Sequence, residues 1–346
     1  MLSFRRARGG NGWYSMYIGP QFEKFVAFVG YADATAPGEL RCIGTGFFVI
    51  WEKIGYFVTA AHVARVLGTD PFLFRINNKT GHSVLIHGDE TEWFYHEDET
   101  VDVAVTRVSV GPGNPGKWNL DHLYIPADML LSDAKMEDLS IGVGDDCYTV
   151  GLFRFISGHH RNRPFVFSGV LSLLDAPDET VPVLDDRTNK VVNVRAHLVE
   201  CIGIKGASGS PVFVTHSADV DDLITRDDGT KVPAKIPLSE AYLLGLFQAA
   251  WFLPPDEVVR RDFGATTRDT VPVGLGIVVP AQNIIDLLES APVKAHREAF
   301  RAKLTAARMT AADVPTKATA AEPADANPTH KEDFTSLLTA AVKGKP

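Results

Sequence analysis

Apolar residues along this chain come in short runs broken by Gly, Pro, Asn and Asp, a pattern of strands rather than of helical stripes. Phe25-Val-Ala-Phe-Val29, closed by Gly30 and the Pro37-Gly38 turn, has the length and boundaries of a strand buried in a barrel wall. Cys42-Ile-Gly44-Thr-Gly46-Phe-Phe-Val-Ile50 and Gly55-Tyr-Phe-Val58 predict two strands around a Trp51-Glu-Lys-Ile54 connection, running into Thr59-Ala-Ala-His62. Gly44 and Gly46 inside a strand pattern mark a bulge or a close backbone approach. Phe72-Leu-Phe-Arg-Ile76 and Ser83-Val-Leu-Ile86 flank an Asn77-Asn78-Lys-Thr-Gly81 turn, a meander. Asp102 then opens the apolar strand Val103-Ala-Val-Thr-Arg-Val108.

The Pro/Gly-dense segment Gly111-Pro-Gly-Asn-Pro-Gly116 reads as a loop and places a junction between two lobes near residues 111–138, with a short helix at Asp133 to Asp138. Asp146-Cys-Tyr-Thr-Val-Gly-Leu152, Phe165-Val-Phe-Ser-Gly-Val-Leu-Ser172 and Val191-Val-Asn-Val-Arg-Ala-His-Leu-Val199 predict further strands. Ser217 to Ser239, rich in Asp, reads as a long solvated loop. Ile284, Ile285, Leu287 and Leu288 fit one face of a helix, and a second helix is expected over 291–309. Residues 1–24 read as a flexible lead-in, and 310–346, rich in Ala, Thr, Pro and Lys, as a disordered tail with a short amphipathic segment near Phe334. Short strands and few helices imply an all-β barrel class.

Composition narrows the choice of partner. The chain has 346 residues, 45% of them hydrophobic, enough for a full core, and a net charge of −9 that argues against a phosphate-binding face and so against nucleic acid. Three cysteines, Cys42, Cys147 and Cys201, are too few and too odd for a disulfide framework; they fit a reducing compartment and the role of small buried hydrophobes. Arg5 and Arg6 are followed by Gly9-Gly10-Asn11-Gly12 instead of the apolar run an export signal needs, and no stretch is long enough to span a membrane, so a cytoplasmic protein is expected. Cysteine and histidine spacing places no metal; His159-His160 are adjacent and lack a third ligand. No cofactor is expected.

The candidate chemistry lies in three segments. A serine hydroxyl becomes a nucleophile at neutral pH only beside an imidazole that takes its proton, a carboxylate that orients the imidazole, and amide donors for the oxyanion. Ser208 lies in Gly206-Ala-Ser-Gly209-Ser210-Pro211, whose small residues allow a tight turn; His62 follows a strand, and Asp102 stands at a strand edge where an ionised carboxylate must be paired. Asp98 and Glu99 could serve equally on charge alone.

These segments, in the order His, Asp, Ser, resemble those of the chymotrypsin-fold, or trypsin-like, serine peptidases, and Tyr148-Thr-Val-Gly151 with Ser168-Gly-Val-Leu-Ser172 resembles the short-loop bacterial HtrA-like group without its peptide-binding module. The resemblance covers roughly residues 25–290 and implies two six-stranded antiparallel β-barrels followed by a C-terminal helix. It also implies a serine endopeptidase acting on a peptide or protein substrate, with Ser208 as nucleophile, His62 as base, Asp102 as its orienting carboxylate, and the N–H groups of Gly206 and Ser208 as the oxyanion hole. Within the motif, Asp-Val-Ala-Val favours Asp102 over its acidic neighbours. Substrate would be read by Ile202, Lys205, Phe247, Gln248, Ala249 and Gly274, with uncharged Ile202 at the pocket floor favouring an apolar side chain. Two departures from the secreted members stand out: Val63 replaces a cysteine after the histidine, and Ala207 lacks the carboxylate that would bind a freed N-terminus, so activity without N-terminal trimming is expected. The alternative is a catalytically silent binding protein on the same barrel.

Overall fold

The computed structural model describes residues 7–8, 14–15, 19–36, 38–88, 92–108, 119–153, 158, 160–185, 190–201, 206–225, 231–253 and 271–312. The chain enters through a two-stranded ladder, β1 (Ala7–Arg8) with β2 (Tyr14–Ser15), then a 3-10 turn at Phe22–Lys24. The first lobe follows: β3 (Val26–Ala32), β4 (Leu40–Trp51), β5 (Ile54–Thr59), α1 (Ala61–Leu67), β6 (Leu73–Asn77), β7 (Ser83–His87), β8 (Phe94–Tyr95), β9 (Ala104–Val108) and β10 (Ile125–Pro126). Its strands make one sheet in the order β7-β6-β3-β4-β5-β9-β8, with β10 pairing parallel to β4. The β4–β5 turn is made by Glu52 and Lys53, both at positive φ (45° and 69°), the two-residue geometry that matches strand twist.

The second lobe begins after α2 (Asp133–Asp138), capped by the Ser132 hydroxyl accepting from the Lys135 amide. It comprises β11 (Asp146–Gly151), β12 (Phe165–Leu173), β13 (Val181–Asp185), β14 (Lys190–Val194), β15 (His197–Glu200), β16 (Ser210–Thr225), β17 (Lys231–Leu253) and β18 (Val271–Pro280), followed by α3 (Ala281–Glu289) and α4 (Ala291–Ala312). Strands β11-β12-β15-β18-β17-β16 close into an antiparallel six-stranded barrel, and β13 with β14 forms a separate hairpin. From Glu298 onward the chain forms a second unit, whose described part continues α4.

The barrel that closes is that of the second lobe; in the first, β7 and the two-residue β8 are the edges of the sheet, and no pairing joins them among the described residues. Two features differ from expectation. Ser217 to Ser239 is a continuation of β16 and β17, paired residue for residue from Ser217↔Ser239 to Thr225↔Lys231, rather than a loop. The apolar stretch 191–199 is two strands, because β14 turns away to pair with β13 while β15 joins the barrel between β12 and β18.

Burial follows the alternation of the strands. Phe48, Phe57 and Phe74 are fully buried and meet in the first lobe with ring centroids 4.6–6.1 Å apart, mostly edge to face. The lobes are stitched by apolar and backbone contacts: Phe22 of the lead-in stacks edge-on against Phe213 of β16 at 4.8 Å, and the Leu131 amide donates to the Leu243 carbonyl at 3.1 Å. The second lobe carries a side cluster in which Val181, Val183 and Val194 of the β13–β14 hairpin pack with Leu198 and Ile277 of the barrel.

Candidate active site

His62 is the second residue of α1, placed where β5 ends and the chain turns at Ala60 into the helix. Gly44 accounts for how closely α1 lies on β4: a Cβ built there would meet Val63 Cγ1 at 2.7 Å, so the neighbour that needs the glycine is a helix side chain and not a backbone. The imidazole is 40% exposed and faces Asp102, whose side chain is 11% exposed. Both carboxylate oxygens of Asp102 go to this one residue: Oδ1 accepts from the His62 backbone N–H at 2.8 Å, and Oδ2 lies 2.6 Å from Nδ1. Carboxylate oxygens accept, so Nδ1 is the donor of this contact and the ring is held through that nitrogen.

The acidic neighbours are occupied elsewhere or open to water. Asp98 Oδ1 accepts from the amide and hydroxyl of Thr100 at 2.9 and 2.7 Å, bonds that hold its carboxyl below the usual carboxylate range, and Glu99 is exposed. Geometry thus separates three carboxylates that charge alone leaves equivalent.

Ser208 is half-buried at the tip of a loop whose turns are taken by Gly206 and Gly209, at φ of 98° and 89°. Gly209 has no alternative: besides its left-handed φ, a Cβ would sit 2.0 Å from the Thr45 carbonyl oxygen and 2.5 Å from Thr59 Oγ1. Thr59 closes β5 just before His62, so the loop is seated against the same strands that deliver the histidine. Its backbone is tied down on several sides: Ser210 N–H donates to Ala207 O at 2.9 Å, Gly209 N–H to Phe247 O at 2.8 Å, and Thr45 N–H to Ser208 O at 3.2 Å. The other serine of the motif, Ser210, is fully buried, and its hydroxyl has no partner among the described residues.

The expected substrate residues divide. Ile202 and Lys205 lie outside the described residues. Phe247 is 2% exposed, its ring against Gly276, so what it offers the site is the carbonyl that anchors Gly209. Gln248 and Ala249 are half-buried on β17, and Gly274, at φ 82°, accepts the Cys201 N–H at 2.8 Å. The cysteines are free thiols; burial pushes Cys147 up to about 12, which keeps it protonated and unreactive.

Among the described residues no cluster of three His, Cys, Asp or Glu side chains could hold a metal ion, and no helix is long and apolar enough to cross a membrane. His159 lies outside the described residues. Sequence reading passed over Thr45, the first-lobe residue most closely engaged with the Ser208 loop; its signal was a threonine held between two glycines in an otherwise apolar strand. No protein-family model matches the chain, and no curated protein matches it.

Proposed function

We propose that this chain is a serine endopeptidase of chymotrypsin-like fold, hydrolysing peptide bonds through Ser208, His62 and Asp102. The observation that carries the reading is the His62–Asp102 pair, in which both oxygens of a nearly buried carboxylate serve one half-exposed imidazole. A histidine with a structural role alone does not need a nearly buried carboxylate to fix its ring and backbone together through Nδ1 and N–H. The tight Gly206–Ser210 loop beside the strands that carry this histidine supports it, since small residues at left-handed φ let consecutive amides face one point.

In this reading Ser208 Oγ attacks the scissile carbonyl carbon as its proton passes to His62 Nε2. Asp102 stabilises the imidazolium, and the N–H groups of Gly206 and Ser208 receive the developing oxyanion. The imidazolium gives its proton to the leaving amine, leaving an acyl ester on Ser208. Water then attacks that ester, its proton going to His62 and returning to Ser208 Oγ as the acid product departs. A second closed barrel in the first lobe, the family's architecture, belongs to this proposal.

The test is hydrolysis of an internally quenched peptide library by the full chain, with product ends mapped by mass spectrometry. Internal cleavage abolished in Ser208→Ala supports the reading. Cleavage that persists in Ser208→Ala sinks it, and peptide binding without turnover by the wild type assigns the barrel to a binding protein.

A further inference from the structure

We propose that Thr45 is a positioning residue that sets the backbone of the Ser208 loop from the opposite lobe; this rests on the reading of Ser208 as nucleophile. Thr45 lies in β4, fully buried, and engages the loop at three positions. Its hydroxyl donates to the Gly206 carbonyl at 2.9 Å, its amide donates to the Ser208 carbonyl at 3.2 Å, and its own carbonyl fills the space a side chain at Gly209 would need. The hydroxyl has one proton and a second acceptor, Leu152 O at 3.4 Å; the shorter contact takes the proton. Thr45 is in turn fixed by Thr59, whose hydroxyl donates to its carbonyl at 2.6 Å.

The consequence follows from peptide planarity. Holding a carbonyl fixes the amide of the same plane on the opposite side. Three consecutive planes are held in this way: Gly206 O by the Thr45 hydroxyl, Ala207 O by the Ser210 amide, and Ser208 O by the Thr45 amide. The middle plane directs the Ser208 N–H away from Ala207 O, and the planes on either side are held by Thr45. Gly206 is the weak point, because a glycine at φ 98° has no side chain to resist rotation. Its hydrogen bond to Thr45 supplies the restraint on the Gly206–Ala207 plane, and with it the setting of the next plane, which carries the Ser208 N–H, one of the two oxyanion donors in the proposed mechanism.

Removing the hydroxyl while keeping the shape isolates this effect. In Thr45→Val the Gly206 plane loses its restraint while the Ser208 nucleophile and its base are untouched. Complete loss of one oxyanion donor costs about 10²–10³ in kcat, so a misaimed donor is expected to lower kcat by about 10-fold to 100-fold. KM should stay within about twofold, because the donor acts on the transition state and not on bound substrate. Thr45→Ser restores the hydroxyl and should keep most of the wild-type rate.

The experiment measures kcat and KM on one cleaved peptide, the rate of fluorophosphonate labelling, and thermal midpoints for wild type, Thr45→Val and Thr45→Ser, with Thr45→Ala standing in if the Val variant does not fold. A kcat-specific loss in Val, or in Ala, that Ser recovers supports the proposal. Val with wild-type kcat overturns it, as does Ser no better than Val, which would assign Thr45 to packing alone. A wild type that neither cleaves peptide nor labels overturns the nucleophile reading itself.

Discussion

Replacing Asp102 with Asn tests the link between the carboxylate and the chemistry, and its magnitude can be worked from two distances. Asp102 accepts at both oxygens, from the His62 amide at 2.8 Å and from Nδ1 at 2.6 Å. Asn has one oxygen and one NH2 to cover the same two places. If the NH2 faced the backbone N–H, two donors would oppose each other in a nearly buried site, costing about 1–3 kcal/mol. The oxygen therefore stays on the backbone N–H, which cannot change, and the NH2 faces Nδ1, which can. The imidazole responds by moving its proton to Nε2, where it can no longer accept one from Ser208. The expected loss is about 10⁴ in kcat, equivalent to about 5.5 kcal/mol of transition-state stabilisation, with little change in thermal midpoint because the shape and one hydrogen bond survive. The assay is kcat on a cleaved peptide beside Asp98→Asn, whose carboxylate is engaged by Thr100 and whose loss should leave kcat unchanged. A fall of less than about tenfold in a folded Asp102→Asn protein would refute the argument that this carboxylate sets the tautomer of a catalytic base.

Other consequences concern stability. His197 is 3% exposed and accepts the Asp175 N–H at Nδ1, and burial lowers its pKa to about 4, with Arg195 adding to the shift and Asp175 opposing it. The native state therefore resists protonation where the unfolded chain accepts it: the stability is whole above about pH 6.5 and falls by about 3 kcal/mol as the pH drops towards 4, and His197→Gln should flatten that slope in urea titrations at stepped pH. Arg297, 2% exposed, bonds Glu52 at 3.1 Å and the Leu288 carbonyl at 2.9 Å, and Glu289 nearby accepts from Trp51 Nε1 at 2.5 Å. Arg297→Ala leaves the Leu288 carbonyl without this donor, while the freed carboxylates are 44% and 34% exposed and stay solvated, and should cost about 1–3 kcal/mol, read as a lower midpoint in chemical denaturation. Gly209→Ala drives a methyl into the Thr45 carbonyl and should abolish peptide cleavage; Ser210→Ala removes an unpaired buried hydroxyl and should raise stability by about 1 kcal/mol while fluorophosphonate labelling persists.

Much of the local structure was legible because it is written in period and punctuation. The pairing of β4 with β5 across Glu52 and Lys53, the delivery of His62 at the end of β5, and the short helix at Asp133–Asp138 each follow from apolar runs ended by turn or cap residues. The 217–239 ribbon was not, because alternation is imposed by burying one face, and beyond Thr215 the two strands pair only with each other. The break between β14 and β15 was hidden for the opposite reason: both halves are apolar, and only tertiary pairing separates the hairpin from the barrel. Closure of the first lobe could not be read from strand count, since closure depends on which edges meet. Within the site, charge alone left Asp98 beside Asp102 and only the resemblance of Asp-Val-Ala-Val favoured the latter; the Thr100 bonds add the physical reason, and Thr45 became visible only when β4 and the serine loop were seen in contact. Contacts between residues far apart in sequence leave little local pattern to read.

The central claim is that Ser208 is an activated nucleophile, and reaction of the full-length protein with a fluorophosphonate, followed by peptide mapping of the adduct, tests it most directly. The account predicts one adduct per chain on Ser208, none on the buried Ser210, and loss of rapid reaction in both Ser208→Ala and His62→Ala. No adduct on folded wild-type protein, or an adduct on a different serine, would contradict it.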